Sequence, residues 1–511
     1  MIPPLSEEEL ERLAALSFLH LERPELEEYK RLTDELLEVV ADLDWLPARL
    51  AVDEPPVPAT RRLGAPRTEE NDPLNAVVRW CDVKAEVDGP LSGWTVALKD
   101  SIAVAGIPLS CGSRVLQGFV PTTDSVVADR ILRAGGRIVA MTNMDDFAFS
   151  GGGDSSVYGP TLNPFNAART AGGSSSGSAA ALHYEGIDVA VGTDQGGSIR
   201  LPAAWCAVVG LKPTYGLVPY TGIVAIDQSV DHVGPLARRV TDLALLLQTI
   251  EGYDPTDPRQ TRSSPAEDYV RAATDAPATL EGVRLGIVEE GFSEDVEAEQ
   301  ETRAAVEEAI ERMRAIGAAT VAVSLPEHLL AGPIAFGGAF EGMTALLRAG
   351  GNGYEWRGRY WPELATAMGT GLREHANDLS PQVKVTLLLG EYLRERYFGS
   401  VYARAQNLKQ GLRRAYDRPL AEVDFLLMPT APRRPHQNDP SLSISERVLR
   451  GWAVLANTTP TDLTGHPAIS VPVAEAEGLP VGVMAVGRHG HDADLIRLAS
   501  TCERTLGWKP G

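Results

Sequence analysis

The sequence predicts an α/β protein with a central mixed β-sheet flanked by helices. Two segments alternate helix and strand patterns in the way typical of this class. A helix over 124–134 leads into a strand over 137–142, and a strand over 283–289 is followed by a helix over 299–316 and a strand over 319–323. Apolar runs near the C-terminus predict further strands at 424–428, 468–473 and 481–487. The order of the strands does not follow from these patterns.

Two helices are predicted at the N-terminus. Ser6 followed three residues later by Glu9 is a capping box, which indicates the start of a helix over 6–21. A second amphipathic pattern runs from Glu25 to about Leu46, and Pro47 is expected to end that helix. These helices form the N-terminal extension of the predicted fold.

The chain is expected to have two parts. The stretch 53–73 is rich in proline and arginine without a period, which is typical of an exposed connector. We therefore predict an N-terminal helical extension and linker over 1–72 and one large domain over 73–511, with a mostly helical insert at about 327–420. The other elements expected in that domain are helices at 177–184, 240–251 and 492–506 and a strand at 187–193.

Charge and composition exclude several classes of protein. The net charge of −22 argues against a nucleic-acid partner and against docking to an anionic membrane. No apolar run reaches the roughly 20 residues of a membrane span, and the acidic N-terminus lacks a signal-peptide pattern. The four cysteines show no CxxC spacing, so we expect neither structural zinc nor a redox pair. The sequence thus predicts a cytoplasmic protein without metal or cofactor.

Two glycine–serine clusters, Gly172–Ser178 and Gly196–Ser198, are the strongest chemical signal. Glycine lets backbone N–H groups approach a ligand closely, and a serine among such groups has an oxyanion site beside it. Ser198 is therefore a candidate nucleophile. A G-x-S-x-G match centred on Ser175 is rejected, because no buried strand precedes it; Ser175 is expected to cap the following helix.

A serine nucleophile needs a base. His232 and His466 occur in loop-like contexts, where a structural role is the commoner one. Lys99 ends an apolar run, and desolvation there would lower its pKa enough for it to accept a proton. Spacing alone does not connect any of these side chains to Ser198.

A resemblance separates these candidates. The strings GGSSSGSAAA, VGTDQGGSIRLPA and VVGLKPT closely resemble the amidase signature family, as do ALKDSI, TNMDDF, NPFN, FLLMPT and GHPAISVP, in order from about residue 72 to 487. The resemblance implies a Lys–Ser–Ser triad in which Lys99 is the base, Ser174 the bridging serine after a cis peptide bond, and Ser198 the nucleophile. It also implies backbone oxyanion donors at Gln195, Gly196 and Gly197. Asp194 and Arg200 are expected to hold this loop by hydrogen bonds or an ion pair.

Within that family, the chain resembles the enantioselective aliphatic and aromatic amidases associated with nitrile metabolism. The N-terminal helices and the strings GGAFEGM, GNGY and NTTPTDLTGHP carry this likeness. It implies hydrolysis of small monocarboxylic amides to acid plus ammonia or amine. Carbamates, anilides and hydrazides stay open as substrates, as do an amidotransferase A-type component and a non-catalytic binding protein.

The substrate pocket is expected to include Phe149, Ser150 and Val230. Aromatic side chains of the helical insert are candidates for its roof, namely Trp356, Tyr360 and Trp361. Phenylalanine and valine would favour an apolar acyl group. Beyond this small-molecule substrate, the expected partner is at most a second copy of the chain in a homodimer.

Overall fold

The computed structural model describes residues 3–44, 46, 56–260 and 267–507. Contacts between Cα atoms divide the chain into two units, Met1–Pro56 and Val57–Gly511. The predicted division at residue 72 stays a prediction.

The described part of the N-terminal unit contains two α-helices, α1 (Glu7–Leu16) and α2 (Arg23–Ala41). The predicted capping box is present at α1, where the Ser6 hydroxyl accepts from the Glu9 amide at 3.1 Å. The second helix ends earlier than predicted, because a 3-10 turn follows it at Asp42–Asp44. Pro47 lies outside the described residues.

The larger unit contains a 12-stranded sheet and a small hairpin. In chain order, the strands are β1 (Ala59–Leu63), β2 (Val77–Ala85), β3 (Thr95–Lys99), β4 (Arg137–Thr142), β5 (Leu162–Asn163), β6 (Asn166–Thr170), β7 (Val189–Asp194), β8 (Val209–Lys212), β9 (His232–Ala237), β10 (Arg284–Val288), β11 (Ala319–Val323), β12 (Phe425–Pro429), β13 (Ala468–Ala476) and β14 (Leu479–Val486). Strands β5 and β6 form the hairpin.

The helices of this unit flank the sheet and build the insert. They are α3 (Val126–Arg133), α4 (Ser176–Ala180), α5 (Arg200–Trp205), α6 (Val240–Ile250), α7 (Tyr269–Thr274), α8 (Gln300–Ala315), α9 (Ala331–Arg348), α10 (Pro362–His375), α11 (Pro381–Tyr397), α12 (Ser400–Leu420), α13 (Ile444–Ala453), α14 (Thr459–Thr464) and α15 (Asp492–Leu506). Helices α9 to α12 occupy the region predicted as a helical insert.

The large sheet is mixed, as predicted. Its order is β1-β2-β4-β3-β7-β9-β8-β13-β14-β12-β10-β11. Strand β3 runs parallel to β4 and β7, and β10 runs parallel to β11 and β12, whereas the remaining neighbours are antiparallel. The parallel pair β3 and β7 lies in the middle of the sheet, and strands β3, β7 and β9 are almost fully buried.

The prediction of an exposed connector over residues 53–73 is wrong for part of that stretch. Residues Ala59–Leu63, inside the stretch predicted as an exposed linker, form β1 and pair antiparallel with β2. The Arg61 guanidinium donates to the Asp124 carboxylate at 2.8 Å and to the Val57 carbonyl at 3.1 Å, which fixes this edge strand. The first three residues of the predicted connector, 53–55, lie outside the described residues.

One helical segment, Pro326–Arg348, is long and apolar enough to cross a membrane by length and composition alone, contrary to the sequence expectation. Its polar side chains, however, have protein partners. His328 hydrogen-bonds Tyr416 at 2.7 Å and Asn457 at 3.1 Å, and the Glu341 carboxylate accepts from the Tyr402 amide at 3.1 Å. These bonds are those of a helix packed inside a protein. A location in the cytoplasm stays a prediction.

Candidate active site

The central parallel strands bring the lysine segment and the second glycine–serine cluster to one edge of the sheet. Strand β3 ends at Lys99 and β7 ends at Asp194, and the two strands pair with Leu98 opposite Val191. Because parallel strands share the edge at which they end, the loop after β7, which carries Ser198, begins beside Lys99.

Lys99 is fully buried and hydrogen-bonded to serine and threonine hydroxyls. Its Nζ lies 2.7 Å from Ser174 Oγ and 2.8 Å from Thr193 Oγ1. Burial lowers the pKa of Lys99 from 10.5 to about 7, although the carboxylates of Asp145 and Asp194 act in the opposite direction. A lysine in this state can accept a proton near neutral pH.

The predicted bridging serine follows a cis peptide bond. The bond between Gly173 and Ser174 is cis, and the Gly173 amide donates to the Gly151 carbonyl at 2.9 Å. A Cβ on Gly173 would lie 1.9 Å from Asp145 Oδ2, so glycine is required here. The Ser174 hydroxyl is buried and accepts from Lys99.

Ser175 has a different role from the one expected. Its hydroxyl donates to the Thr193 carbonyl at 3.1 Å and accepts from the Thr193 amide at 3.2 Å. It makes no capping bond to α4. The expected helix cap is therefore wrong, because the hydroxyl instead ties this loop to β7.

Asp194 shapes the loop that carries Ser198. Its carboxylate accepts from the amides of Gly197 at 2.6 Å and Ile199 at 3.0 Å, so the backbone on both sides of Ser198 is tied to one side chain. Gly197 has φ +138°, and a Cβ there would lie 2.1 Å from Thr458 Oγ1. Only glycine suits this position.

Of the three predicted oxyanion donors, the Gly197 amide already donates a hydrogen bond to the Asp194 carboxylate. The amides of Gln195 and Gly196 have no acceptor among the described residues, and both residues are partly exposed. The Gly196 carbonyl accepts from the hydroxyls of Thr458 and Thr459, which fixes the plane of that peptide unit. The structure thus leaves two of the predicted donors available.

A buried ion-pair network lies beneath the loop. The Arg200 guanidinium lies 3.0 Å from Asp194 Oδ1 and 2.7 Å from Asp462 Oδ2, and all of these side chains are fully buried. Burial raises the pKa of Asp194, but the charge and hydrogen bonds of Arg200 reverse this and hold it well below its usual range. The expected pairing of Asp194 with Arg200 is present, whereas the part played by Asp462 was not predicted.

The two candidate histidines have other partners. His232 is the first residue of β9, not part of a loop, and its Nδ1 lies 2.7 Å from the Val230 carbonyl. His466 Nε2 lies 3.0 Å from Asp417 Oδ1 and its Nδ1 2.9 Å from Thr464 Oγ1. Burial lowers the pKa of His466 to about 3. Both rings are therefore structural groups in this fold.

Ser198 is 3% exposed, and its hydroxyl has no hydrogen-bond partner among the described residues. Of the two hydrogen bonds that the implied Lys–Ser–Ser relay needs, the one between Lys99 and Ser174 is therefore present, whereas the one between Ser174 and Ser198 is not formed in this structure. Among the described residues there is no group of three or more His, Cys, Asp or Glu side chains placed to hold a metal ion. The described cysteines are all buried and unpaired.

Of the predicted pocket residues, Phe149 lies beside Trp452. Phe149 stacks edge-on against Trp452 with ring centroids 6.2 Å apart, and Leu455 lies against the positions of Gly196 and Gly197. Both Phe149 and Leu455 are partly exposed, and Phe336 and Phe340 also pack against Trp452. Sequence reasoning missed Trp452 and Leu455, which reach the site from α13 and its end.

The aromatic roof over the pocket stays a prediction. Trp361 packs on Phe119 at 5.5 Å and Trp356 on Tyr360 at 5.1 Å. Both tryptophans line a cavity with Tyr220, whose hydroxyl accepts from Gln195 Nε2 at 2.8 Å. Val230 is buried in the loop before β9.

Known proteins resemble this chain over most of its length. The Amidase family model matches residues 78–496. An enantioselective amidase of Rhodococcus rhodochrous is 38% identical over 498 residues, which cover 94% of this chain and 92% of that protein. The A subunit of the glutamyl-tRNA(Gln) amidotransferase of Methanosarcina mazei is 36% identical over 429 residues, which cover 82% of this chain and 86% of that protein. The X-ray structure of a peptide amidase from Stenotrophomonas maltophilia has a TM-score of 0.68 and 28% identity, and the match covers 83% of this chain and 84% of that one.

Proposed function

Because the chain belongs to the amidase family, we propose that it hydrolyses small monocarboxylic amides through an acyl-enzyme formed on Ser198. It is an amide-hydrolysing enzyme, and its mixed sheet flanked by helices is the fold of that family. The observation that carries the proposed mechanism is the 2.7 Å hydrogen bond between the buried Lys99 Nζ and Ser174 Oγ.

The proposed relay starts from neutral Lys99. Once substrate binding brings the Ser198 hydroxyl within hydrogen-bond distance of Ser174 Oγ, Lys99 Nζ takes the proton of the Ser174 hydroxyl while Ser174 Oγ takes that of Ser198. Ser198 Oγ then attacks the carbonyl carbon of the amide. With the pKa of Lys99 near 7, a large share of the enzyme holds the neutral amine at neutral pH. Thr193 Oγ1 orients that amine at 2.8 Å.

The negative charge on the carbonyl oxygen needs preorganised donors. We assign this role to the amides of Gln195 and Gly196, since Gly197 donates to Asp194. Loss of one such donor typically raises the barrier by about 2.7–4 kcal/mol. The Asp194–Arg200 pair contributes by keeping the loop in shape before the substrate binds.

The tetrahedral intermediate collapses when the C–N bond breaks and the leaving nitrogen takes the proton back from Ser174, which is reprotonated by Lys99. Ammonia or an amine departs and the acyl group stays on Ser198. Water then attacks the ester, and its proton follows the same relay. The carboxylic acid leaves and Ser198 regains its hydroxyl proton.

The apolar side chains beside the loop support an aliphatic or aromatic acyl group. Leu455 lies against Gly196 and Gly197, and Phe149 packs on Trp452, which precedes Leu455 on the same segment. Carbamates, anilides and hydrazides present the same electrophilic carbon and stay as alternative substrates. A cytoplasmic location and a homodimer are part of this proposal as well.

A second candidate is a component that supplies ammonia within an amidotransferase, because a relative of that kind is 36% identical. The match to the enantioselective amidase reaches further along the chain, 94% against 82%, and therefore favours a free-standing amidase. The purified chain alone decides between them: release of ammonia from simple amides without a partner supports the amidase, and no release on any amide contradicts it.

The experiment that tests the mechanism measures acid and ammonia from aliphatic and aromatic amides, with hydroxylamine added as a competing acceptor. An acyl-enzyme predicts hydroxamic acid in addition to the acid. Ser198→Ala is expected to reduce turnover to background, and Ser174→Ala to lower kcat/KM by about 10²–10⁴-fold. Ser445→Ala, at an exposed serine of α13, is the matched control. Appreciable turnover in Ser198→Ala contradicts the proposal.

A further inference from the structure

Asp145, which follows β4 in the chain, is buried against the loop that carries the bridging serine. A Cβ on Gly173 would lie 1.9 Å from Asp145 Oδ2, and the Asp145 amide donates to the Ser174 carbonyl at 3.4 Å. The hydroxyl of the same Ser174 accepts from Lys99 Nζ at 2.7 Å. The Asp145 carboxylate therefore packs on the peptide unit whose serine contacts the proposed base.

The Asp145 carboxylate is held by uncharged donors. Its Oδ2 accepts from the Gly153 amide at 3.0 Å, and its Oδ1 accepts from the amide and the hydroxyl of Ser155 at 2.9 Å and 2.7 Å. It forms no ion pair with any residue that the structure describes. Burial raises its pKa to about 6, so it is still mostly ionised at neutral pH. A buried negative charge without a counter-ion is costly, and an uncharged acceptor could anchor the same loop, which indicates that the charge has a function.

Two other carboxylates that act on Lys99 have cations of their own. Against the effect of burial, the charges of Asp194 and Asp231 favour the ammonium form of Lys99. Asp194 is paired with Arg200 at 3.0 Å. Burial raises the pKa of Asp231 to about 7, whereas the charge of Arg259 lowers it, and the Arg259 guanidinium donates to the Asp231 carbonyl at 3.0 Å. Both acids therefore have a cation beside them whether or not the lysine holds a proton.

Three further titratable groups lie around Asp145 and the base. Burial raises the pKa of the Cys111 thiol well above its usual value, so it is uncharged at neutral pH. The Asp154 carboxylate is paired with Arg450 at 2.7 Å. Burial raises the pKa of Asp146 to about 6, and its carboxylate accepts from a backbone amide at 2.6 Å. Of the carboxylates that act on the base, Asp145 has the largest electrostatic effect and no ion pair of its own within the described part of the chain.

We propose that Asp145 is a positioning residue of the relay, whose negative charge stabilises the ammonium that forms when Lys99 takes the proton of Ser174. This inference rests on the proposed function. In that step the Ser174 O–H bond breaks as an N–H bond forms on Lys99, while Ser174 Oγ takes the proton of Ser198. One proton therefore moves from Ser198 to Lys99, and the positive charge arises near a negative charge that is in place before the reaction.

This charge also sets the strength of the base. Burial lowers the pKa of Lys99, and Asp145 acts in the opposite direction. Without the carboxylate, the amine would be neutral over a wider pH range but would bind the Ser174 proton less tightly. The charge of Asp145 and its anchoring of the loop therefore have separable effects on the pH profile of the reaction.

The test measures kcat/KM for one aliphatic amide between pH 5 and pH 10 in the wild-type enzyme and in Asp145→Asn, which keeps the size of the side chain and removes its charge. The midpoint of the acid limb is expected to move to lower pH by at least about half a unit. The plateau at high pH is expected to fall at least about threefold, which is the same change expressed as an equilibrium. Near pH 5 the two enzymes should differ less, since more of the variant's lysine is neutral there.

Two further variants separate the charge from the anchoring. Ser155→Ala removes one hydrogen bond to the same carboxylate but leaves its charge, so the midpoint should stay where it is in the wild type. Asp145→Ser is uncharged but shorter, so it repeats the loss of charge with a different packing defect. It should shift the midpoint in the same direction as Asp145→Asn.

The proposal is refuted if kcat/KM falls by the same factor at every pH in Asp145→Asn and Asp145→Ser, or if neither variant folds, because the carboxylate then serves only to anchor residues 151–155. An equal shift of the midpoint in Ser155→Ala would contradict it as well. Failure of the wild-type enzyme to hydrolyse any amide would instead refute the proposed function, so the two failures are distinguishable.

Discussion

Replacing Lys99 by methionine is expected to remove activity and, near neutral pH, to increase the free energy of unfolding. The side chain is fully buried, and burial lowers its pKa from 10.5 to about 7. Methionine has a similar length and no charge, so it removes the cost of burying an ammonium. It also removes the hydrogen bonds to Ser174 and Thr193, each of which contributes about 0.5–1.5 kcal/mol.

The pH dependence isolates the electrostatic part, because the lost packing and hydrogen bonds do not change with pH in the same way. Below pH 7 the Lys99 amine is charged in the folded and the unfolded chain, and the full penalty of about 5 kcal/mol is present. Between pH 7 and 10.5 only the unfolded chain holds that proton, so the stability of the wild type rises with pH. The advantage of the methionine variant should thus shrink by about 1.4 kcal/mol per pH unit.

Urea denaturation of both proteins at pH 7 and pH 9 measures this difference. We expect the gain in unfolding free energy from Lys99→Met to be about 2–3 kcal/mol smaller at pH 9 than at pH 7. Lys84→Met, at an exposed lysine of β2, is the control and should show no such change, since its ammonium stays in water. A gain that is the same at both pH values would refute a lowered pKa at Lys99 and with it the neutral base of the relay.

Three further results are expected. The value of kcat/KM should rise with pH through about 7 and then level off, because the relay needs neutral Lys99; a profile that is flat from pH 5 to 9 would contradict this. Gly197→Ala should lower kcat at least about 10²-fold, because its Cβ would lie 2.1 Å from Thr458 Oγ1 and displace the loop that carries Ser198. Circular dichroism should show that this variant still folds. Arg200→Met should reduce the free energy of unfolding in urea by about 3–5 kcal/mol, since it leaves the buried Asp194 carboxylate without the guanidinium that lowers its pKa; a loss below about 1 kcal/mol would contradict that account.

Several elements of the large sheet and its flanking helices could be predicted from sequence because their signal is local. Strands β4 and β11 have the predicted bounds, and helix α15 agrees with its predicted range. Strand β9, in contrast, was missed: Gly234 and Pro235 lower its strand propensity, and its pairing with β7 and β8 depends on residues distant in sequence. Periodicity reports the burial of one segment, and it carries no information on which neighbours the segment will pair with.

The candidate site shows the same distinction between local signals, which the sequence carries, and contacts between residues distant in the chain. Glycine-rich strings mark the loops that carry Ser174 and Ser198, and the resemblance to a family adds Lys99, at the end of β3, as the expected base. Thr193 was not predicted, although its hydroxyl holds Lys99 at 2.8 Å, because a threonine at the end of a strand has no pattern of its own. Gly197 was predicted as an oxyanion donor, whereas its amide donates to Asp194.

The anchoring of the Ser198 loop shows why a short motif is insufficient for this chemistry. The Asp194 carboxylate would be costly to bury alone, and it is retained because Arg200 pairs with it and with Asp462 of α14, far along the chain. The adjoining Thr458 holds the Gly196 carbonyl, so the same C-terminal segment fixes both the charge and the peptide plane of the loop. The position of Ser198 therefore depends on the pairing of strands far apart in the chain, since β13 follows α14 and pairs with β8. An arrangement of this kind keeps the proposed oxyanion donors, the amides of Gln195 and Gly196, in place before a substrate arrives, which is the condition under which such donors lower a reaction barrier.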